Sequence, residues 1–150
     1  MIIRKFRKQD ASDVCRLVST TFKTFVASEF TKKGVKKFLE EQTPEKQIER
    51  SKTRNVLVAV SNRKIIGMIE GNGKDKVTRL FVYRQYHGKG IAKQMMNKLE
   101  KIYKKHGTSK IRVFSSLYAI NFYKKMGYKK STRKIRKNGF VYQPMRKILL

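Results

Sequence analysis

The 150-residue sequence predicts an α/β (α+β) fold in which helices cover both faces of a central sheet. Three observations carry that expectation. Val56-Leu57-Val58-Ala59-Val60 and Ile65-Ile66-Gly67-Met68-Ile69 flank a turn at Ser61-Asn62-Arg63 and read as a hairpin that is apolar on both faces, so both faces need cover. Ile91, Met95, Leu99, Ile102 and Tyr103 recur at helical spacing, and Gly107 closes that run where a helix C-terminus commonly takes left-handed backbone. Between them a strand over Val77 to Val82 passes through the loop Tyr83 to Lys89 into that helix.

The remaining elements follow in order. Ile2 to Phe6 reads as a short first strand, and Asp10 as the N-cap of a helix whose apolar face carries Val14, Leu17, Val18, Phe22 and Phe25. Val35, Phe38 and Leu39 mark a second amphipathic stretch. Thr43-Pro44-Glu45 opens a third helix with a cap, a proline in the first turn and an acidic residue at the positive end of the dipole. After a turn at Gly71-Asn72-Gly73 and the strand and helix above, Ile111 and Val113 alternate with charged residues as a strand. Tyr118 to Met126 repeats the helical spacing before Gly127. Tyr128 onward and Phe140 to Ile148 suggest two final strands, and Pro144 places the last at an edge or a bulge. With no linker-like or repeated segment, residues 1–150 are expected to form a single domain.

The chain carries 38 Lys and Arg against 10 Asp and Glu, a formal net charge of +28, which excludes partners that are dense cations. Residues 1–75 hold 17 basic and 9 acidic side chains, whereas residues 76–150 hold 21 basic side chains and Glu100 alone. The positive field therefore belongs mainly to the second half. A lone cysteine, Cys15, excludes an internal disulfide and sits beside an apolar stripe, as a small buried hydrophobe would. The N-terminus lacks the apolar core of a signal peptide and the chain lacks a membrane-length apolar run, so a cytoplasmic location is expected.

The informative segment is Gln85-Tyr86-His87-Gly88-Lys89-Gly90, which places glycines where a strand hands over to a helix. Without Cβ atoms at 88 and 90 an anion can approach the main chain, and unpaired N–H groups with the positive helix end can hold it. A nucleoside-triphosphate loop would need a Gly-Lys-Ser or Gly-Lys-Thr ending, and a dinucleotide fingerprint a third glycine where Lys93 stands.

This segment resembles the acyl-CoA signature of the GCN5-related N-acetyltransferase (GNAT) superfamily: Gln or Arg, two residues, Gly, one residue, then Gly or Ala. The resemblance extends to Leu80-Phe81-Val82, to Gly90-Ile91-Ala92 and to Ala119-Ile120-Asn121-Phe122-Tyr123-Lys124-Lys125-Met126-Gly127-Tyr128. It implies the acyl-CoA N-acyltransferase fold, a mixed, mostly antiparallel sheet with helices on both faces, and acetyl-CoA as co-substrate with no metal. By the same likeness, Gln85 begins the CoA loop and amides near His87, Gly88, Lys89, Gly90, Ile91 and Ala92 bind the CoA pyrophosphate. Main-chain groups of Phe81 and Val82 pair with the pantetheine arm, and Asn121 helps hold it. Tyr123 matches the tyrosine that hydrogen-bonds the thioester sulfur. Complete proton transfer from a tyrosine of pKa about 10 to a thiolate of roughly 8.5 is uphill by about 2 kcal/mol, so hydrogen bonding to the thiolate suffices.

The general base is less legible. Relatives of this kind place Glu or His early in the strand that here reads Lys76, Val77, Thr78, Arg79. Glu70 is the candidate, weighed against an exposed pairing with Lys76 across the hairpin. His87 belongs to the glycine loop, His106 reads as a helix-end surface residue, and two isolated histidines with one cysteine make no metal site. The expected function is acetyl-CoA-dependent N-acetylation of a primary amine on a small molecule, peptide or protein. The competing readings are a nucleic-acid or polyanion binder using Lys129 to Lys137, where six of nine residues are basic, and a GNAT-like module without catalysis.

Overall fold

A computed structural model describes residues 1–149. Its strands are β1 (Ile2–Lys5), β2 (Asn55–Ser61), β3 (Lys64–Gly71), β4 (Lys76–Val82), β5 (Lys110–Ser115), β6 (Lys129–Lys130), β7 (Ile135–Lys137) and β8 (Phe140–Ile148). Its helices are α1 (Ala11–Phe25), α2 (Lys32–Glu40), α3 (Pro44–Ser51), α4 (Ile91–Lys105) and α5 (Ile120–Lys125). The sheet runs β1-β2-β3-β4-β5-β8-β6, with β7 also on β8. Neighbours pair antiparallel except β4 and β5, which are parallel, so the sheet is mixed and mostly antiparallel.

Period-two alternation along β2 and β3 divides the core in two. Val56, Val58 and Met68 pack with Val14, Leu17 and Val18 of α1, while Leu57, Ala59 and Ile69 pack with Met95, Met96 and Leu99 of α4. Each large apolar side chain buried this way contributes roughly 1.5–3 kcal/mol, which is why strands apolar on both faces demand helices on both. Thr43 caps α3 by accepting from the Lys46 N–H at 3.3 Å, and Gly107 takes the left-handed φ of 84° that ends α4.

Two local readings are corrected. Asp10 precedes α1 in helical conformation and makes no side-chain cap. Its carboxylate instead accepts from Arg4 at 2.8 and 3.0 Å and from the Arg7 N–H at 2.8 Å, tying β1 to the start of α1. Pro144 lies not on an edge strand but inside the sheet: β8 pairs with β5 on one side, and on the other β7 covers Phe140 to Tyr142 while β6 covers Met145 and Arg146. The proline falls where the ladder passes from one short strand to the other, so a missing N–H is tolerated there.

The parallel junction positions the site. β4 and β5 are paired only at Lys76 with Arg112 and Val77 with Val113, and beyond those residues the strands part. Helices α1 and α2 lie over one side of the resulting cleft. The β7–β8 hairpin closes another side: its Gly139 carbonyl accepts from the Thr31 N–H at 3.0 Å, and any side chain at Gly34 would run into the Gly139 backbone.

Candidate active site

Where β4 and β5 part, a cavity of about 340 Å³ opens between both strands, α1, α2 and β8. Tyr123 of α5 lines it. The ring is buried at 4% exposure, yet its hydroxyl has no hydrogen-bond partner among the described residues and is not sealed from solvent. With no protein partner to compete, this hydroxyl is a donor available to whatever fills the cavity that Tyr123 lines. Burial pushes the Tyr123 hydroxyl above the ordinary tyrosine range, which keeps the donor proton in place.

The glycine loop meets this cavity at Val82 and His87. A second cavity of about 380 Å³ runs past Tyr86, Gly88, Gly90 to Lys93, Phe122 and Met126. Gly88 and Gly90 both have φ of 77°, and nothing lies within 4 Å of where a Cβ would stand, so the loop needs glycine for its backbone and leaves the approach open. The first backbone bond of α4 comes from Gln94 to the Gly90 carbonyl; the N–H groups from Gly88 to Lys93 find no acceptor among the described residues. With Lys93 and Lys125 also lining this cavity, the arrangement can hold a phosphate-sized anion. The exposed Lys89 lies over the Tyr86 ring, 5.5 Å from its centroid.

The structure brings together Phe81, Val82, His87, Gly88, Gly90, Ile91, Ala92 and Tyr123 along these two cavities, which share Val82 and His87. Phe81 and Val82 pair with β3 on one side and, past Val77, have no strand on the other. The Val82 carbonyl accepts from His87 Nε2 at 2.7 Å, so any strand-like partner there must share that oxygen with the imidazole or displace it. Gln85 and Asn121 are exposed and line neither cavity.

Glu70 is fully buried, and the expectation of an exposed pairing with Lys76 is corrected. Its carboxylate lies 3.0 Å from Arg54 Nη1, 3.7 Å from Arg79 Nε and 3.8 Å from Arg50 Nε, and accepts from Thr78 Oγ1 at 2.9 Å. Buried Gln47 spans the cluster, donating to Glu70 at 3.4 Å and accepting from Arg50 at 3.1 Å and Arg79 at 3.3 Å. Three guanidiniums around one carboxylate leave excess positive charge, and burial pulls Arg79 down to about 10, with Glu70 opposing the shift. Arg50 Nε is buried without a hydrogen bond. Glu70 does not line the cavity, and its oxygens are already engaged. Lys76 turns elsewhere, placing Nζ 3.3 Å from the centroid of the Phe114 ring.

Residues 26–149 match the acetyltransferase (GNAT) domain family. The chain belongs to that family. A Bacillus subtilis (strain 168) protein that bears an acetyltransferase name is 27% identical over 94 residues, 63% of this chain and 60% of that relative. The PaiA N-acetyltransferase of Thermoplasma acidophilum, solved in complex with coenzyme A, superposes with a TM-score of 0.84 at 22% identity, covering 98% of each chain. A GCN5-related N-acetyltransferase structure from Rhodopseudomonas palustris gives a TM-score of 0.85 at 19% identity, covering 98% of this chain and 94% of that one. The sheet that splits between β4 and β5 is thus the GNAT fold, and the cleft is the GNAT cleft of this chain.

Two features of this GNAT cleft escaped the sequence reading. Glu29 receives the Leu117 N–H at 2.8 Å and the Tyr118 N–H at 3.0 Å, fixing the turn between β5 and α5. The contact spans 88 residues, and nothing local announces it. The second is aromatic: Phe25 stacks on both His87 and Tyr118 at 4.8 Å, so three separate segments meet over the cleft.

Proposed function

We propose that this GNAT domain transfers the acetyl group of acetyl-CoA directly to a primary amine. The observation that carries the reading is the unpartnered hydroxyl of Tyr123, which lines the β4–β5 cleft, beside a glycine loop whose N–H groups are unengaged. Acetyl-CoA fits this arrangement chemically. Its pyrophosphate suits the amides from Gly88 to Ala92 with Lys93 and Lys125 nearby, and its amide-bearing arm suits the open edge of β4 at Phe81 and Val82 once His87 shares or releases the Val82 carbonyl. That the Thermoplasma acidophilum PaiA N-acetyltransferase of the same fold is solved in complex with coenzyme A supports acetyl-CoA as the donor.

In the reaction an N–C bond forms as the C–S bond breaks; the amine loses one proton and the departing thiolate takes one up, so the proton balance closes. Tyr123 stabilises the thiolate by donating a hydrogen bond, a role its raised pKa favours because the proton is not given up. Glu70, the candidate base, is better read as the hub that fixes Arg79 and the bulged end of β3 beside the cleft. Isothermal titration with acetyl-CoA, followed by thiol-release assays over a panel of amines, tests the reading. Binding with turnover on at least one amine is expected; a folded protein that neither binds acetyl-CoA nor releases thiol would refute it.

A further inference from the structure

Seven of the nine phenylalanines in the chain line the one cavity beside Tyr123. They come from α1, α2, β4, β5, β8 and the segment between α1 and α2, and make a nearly continuous aromatic wall. Phe38 stacks on Phe22 at 3.9 Å and lies 6.4 Å from Phe81; Phe22 lies 5.4 Å from Phe30, and Phe30 lies 5.2 Å from Phe140. Phe114 stacks on Tyr142 of the neighbouring strand β8 at 4.5 Å. Of these only Phe22 is wholly buried; the others keep part of their ring surface uncovered, and Phe114 is 41% exposed. Core phenylalanines bury their rings against one another, whereas these hold apolar surface open toward a shared space.

The charges around that space point the same way. No Asp or Glu lines the cavity among the described residues, and its cationic or titratable nitrogen side chains are Arg79 and His87. Acceptors bearing several ammonium groups need carboxylates to balance them on leaving water, and here they would meet a chain of net charge +28 instead. A single amine on an apolar body is treated differently. Nearby positive charge favours its neutral, nucleophilic form, which eases the need for a dedicated carboxylate base.

We infer that the acceptor of this acetyltransferase is an amine carrying an aromatic or similarly bulky apolar group, of the arylalkylamine type, seated against Phe22, Phe30, Phe38, Phe81, Phe114 and Phe140. The inference rests on the acetyltransferase reading above and narrows its acceptor. The cavity of about 340 Å³ is at the small end of ligand sites and must also admit the acetyl end of acetyl-CoA at Tyr123, which leaves room for one aromatic ring system on a short chain rather than for an oligosaccharide.

The test compares phenethylamine and tryptamine with spermidine, kanamycin and a lysine peptide, using the intact protein. Direct binding to the CoA-loaded protein is measured by calorimetry, and acetylation by thiol release. The arylalkylamines should show kcat/KM at least about tenfold above the polycations and the peptide. Phe140→Ala should raise the arylalkylamine KM about tenfold while leaving the acetyl-CoA KM in place, and Phe140→Leu, with its melting temperature checked, should give a smaller rise in the same direction. Equal or better acetylation of spermidine, kanamycin or the peptide would overturn the acceptor class while leaving the acetyltransferase standing. So would a CoA-loaded protein that binds no arylalkylamine. Absence of acetyl-CoA binding would instead overturn the underlying reading and this assignment with it.

Discussion

Tyr123 and Glu70 have opposite surroundings, and the difference separates a group able to meet substrate from one held by protein. Tyr123 lines a cavity and its hydroxyl has no protein partner; Glu70 has no exposure and touches three guanidiniums. Tyr123→Phe removes a donor and little volume, so turnover should fall about 10- to 100-fold, the worth of one hydrogen bond to a charged group, with acetyl-CoA affinity nearly unchanged. Steady-state kinetics beside calorimetry read both quantities, and unchanged turnover would remove Tyr123 from the chemistry. Glu70→Gln should instead cost about 3–5 kcal/mol of folding stability, because it strands buried guanidiniums. Chemical denaturation measures that; a variant of native stability with abolished turnover would restore Glu70 as the base. Asp10 provides a pH signature. Burial works to raise its carboxyl, but the hydrogen bonds from Arg4 and the Arg7 N–H outweigh it and hold it below the usual carboxylate range. Its stabilising contribution is therefore complete above the unfolded value of about 3.9 and is lost as pH falls through the lower folded value. Asp10→Asn should destabilise the protein by about 2 kcal/mol at neutral pH, and by progressively less under acid, in denaturation curves taken across that range.

At the scale of elements, what was legible in the sequence was what local pattern controls. The β2–β3 hairpin, the stripe of α4, the Thr43 cap and the glycine loop all follow from period, propensity and φ preference, which depend on neighbours in the chain. The split between β4 and β5, the seat of Glu29 on the Leu117 and Tyr118 amides, and the assembly of phenylalanines from distant segments depend on how elements cross, which period does not encode. Asp10 was misread for the same reason: its cap position is local, but its partner Arg4 belongs to another element. The β7–β8 hairpin shows how a polar-looking segment becomes part of the cleft. Its turn at Asn138-Gly139 sits against α2 where Gly34 leaves no room for a side chain, and this contact holds Phe140 next to Phe30. Gly34→Ala should therefore push the hairpin away at a cost of about 1–3 kcal/mol. The acceptor KM should rise while the acetyl-CoA KM stays put, because no residue of α2 lines the cavity that Gly88 and Gly90 border. Parallel kinetics against both substrates would show whether the hairpin is a wall of the acceptor side.

For the whole molecule, the distribution of charge matters more than its sum. Glu100, the one carboxylate side chain of residues 76–150, is buried and consumed internally, accepting from Tyr128 at 2.7 Å and Lys147 at 2.9 Å. The surface of that half thus presents basic side chains with no exposed Asp or Glu among the described residues. Lys129, Lys130, Arg133, Lys134, Arg136 and Lys137 are all exposed, and none pairs with a carboxylate among the described residues. One acetyl-CoA accounts for the sign of this field but not for its extent. Unpaired cations so concentrated should hold polyanions by counterion release, weakly and without sequence preference. Duplex DNA is then expected to bind at low salt and to dissociate as salt rises, log affinity falling linearly with log salt concentration. Replacing Lys129, Lys130, Arg133 and Lys134 together by Gln should reduce that slope by about 3 to 4 if each meets a phosphate, since each contact contributes about 0.9. Acetyl-CoA titrations on the same variant separate the two roles. An unchanged slope would move the polyanion surface elsewhere on the half-chain, and no DNA binding even at low salt would mean that this charge serves solvation alone.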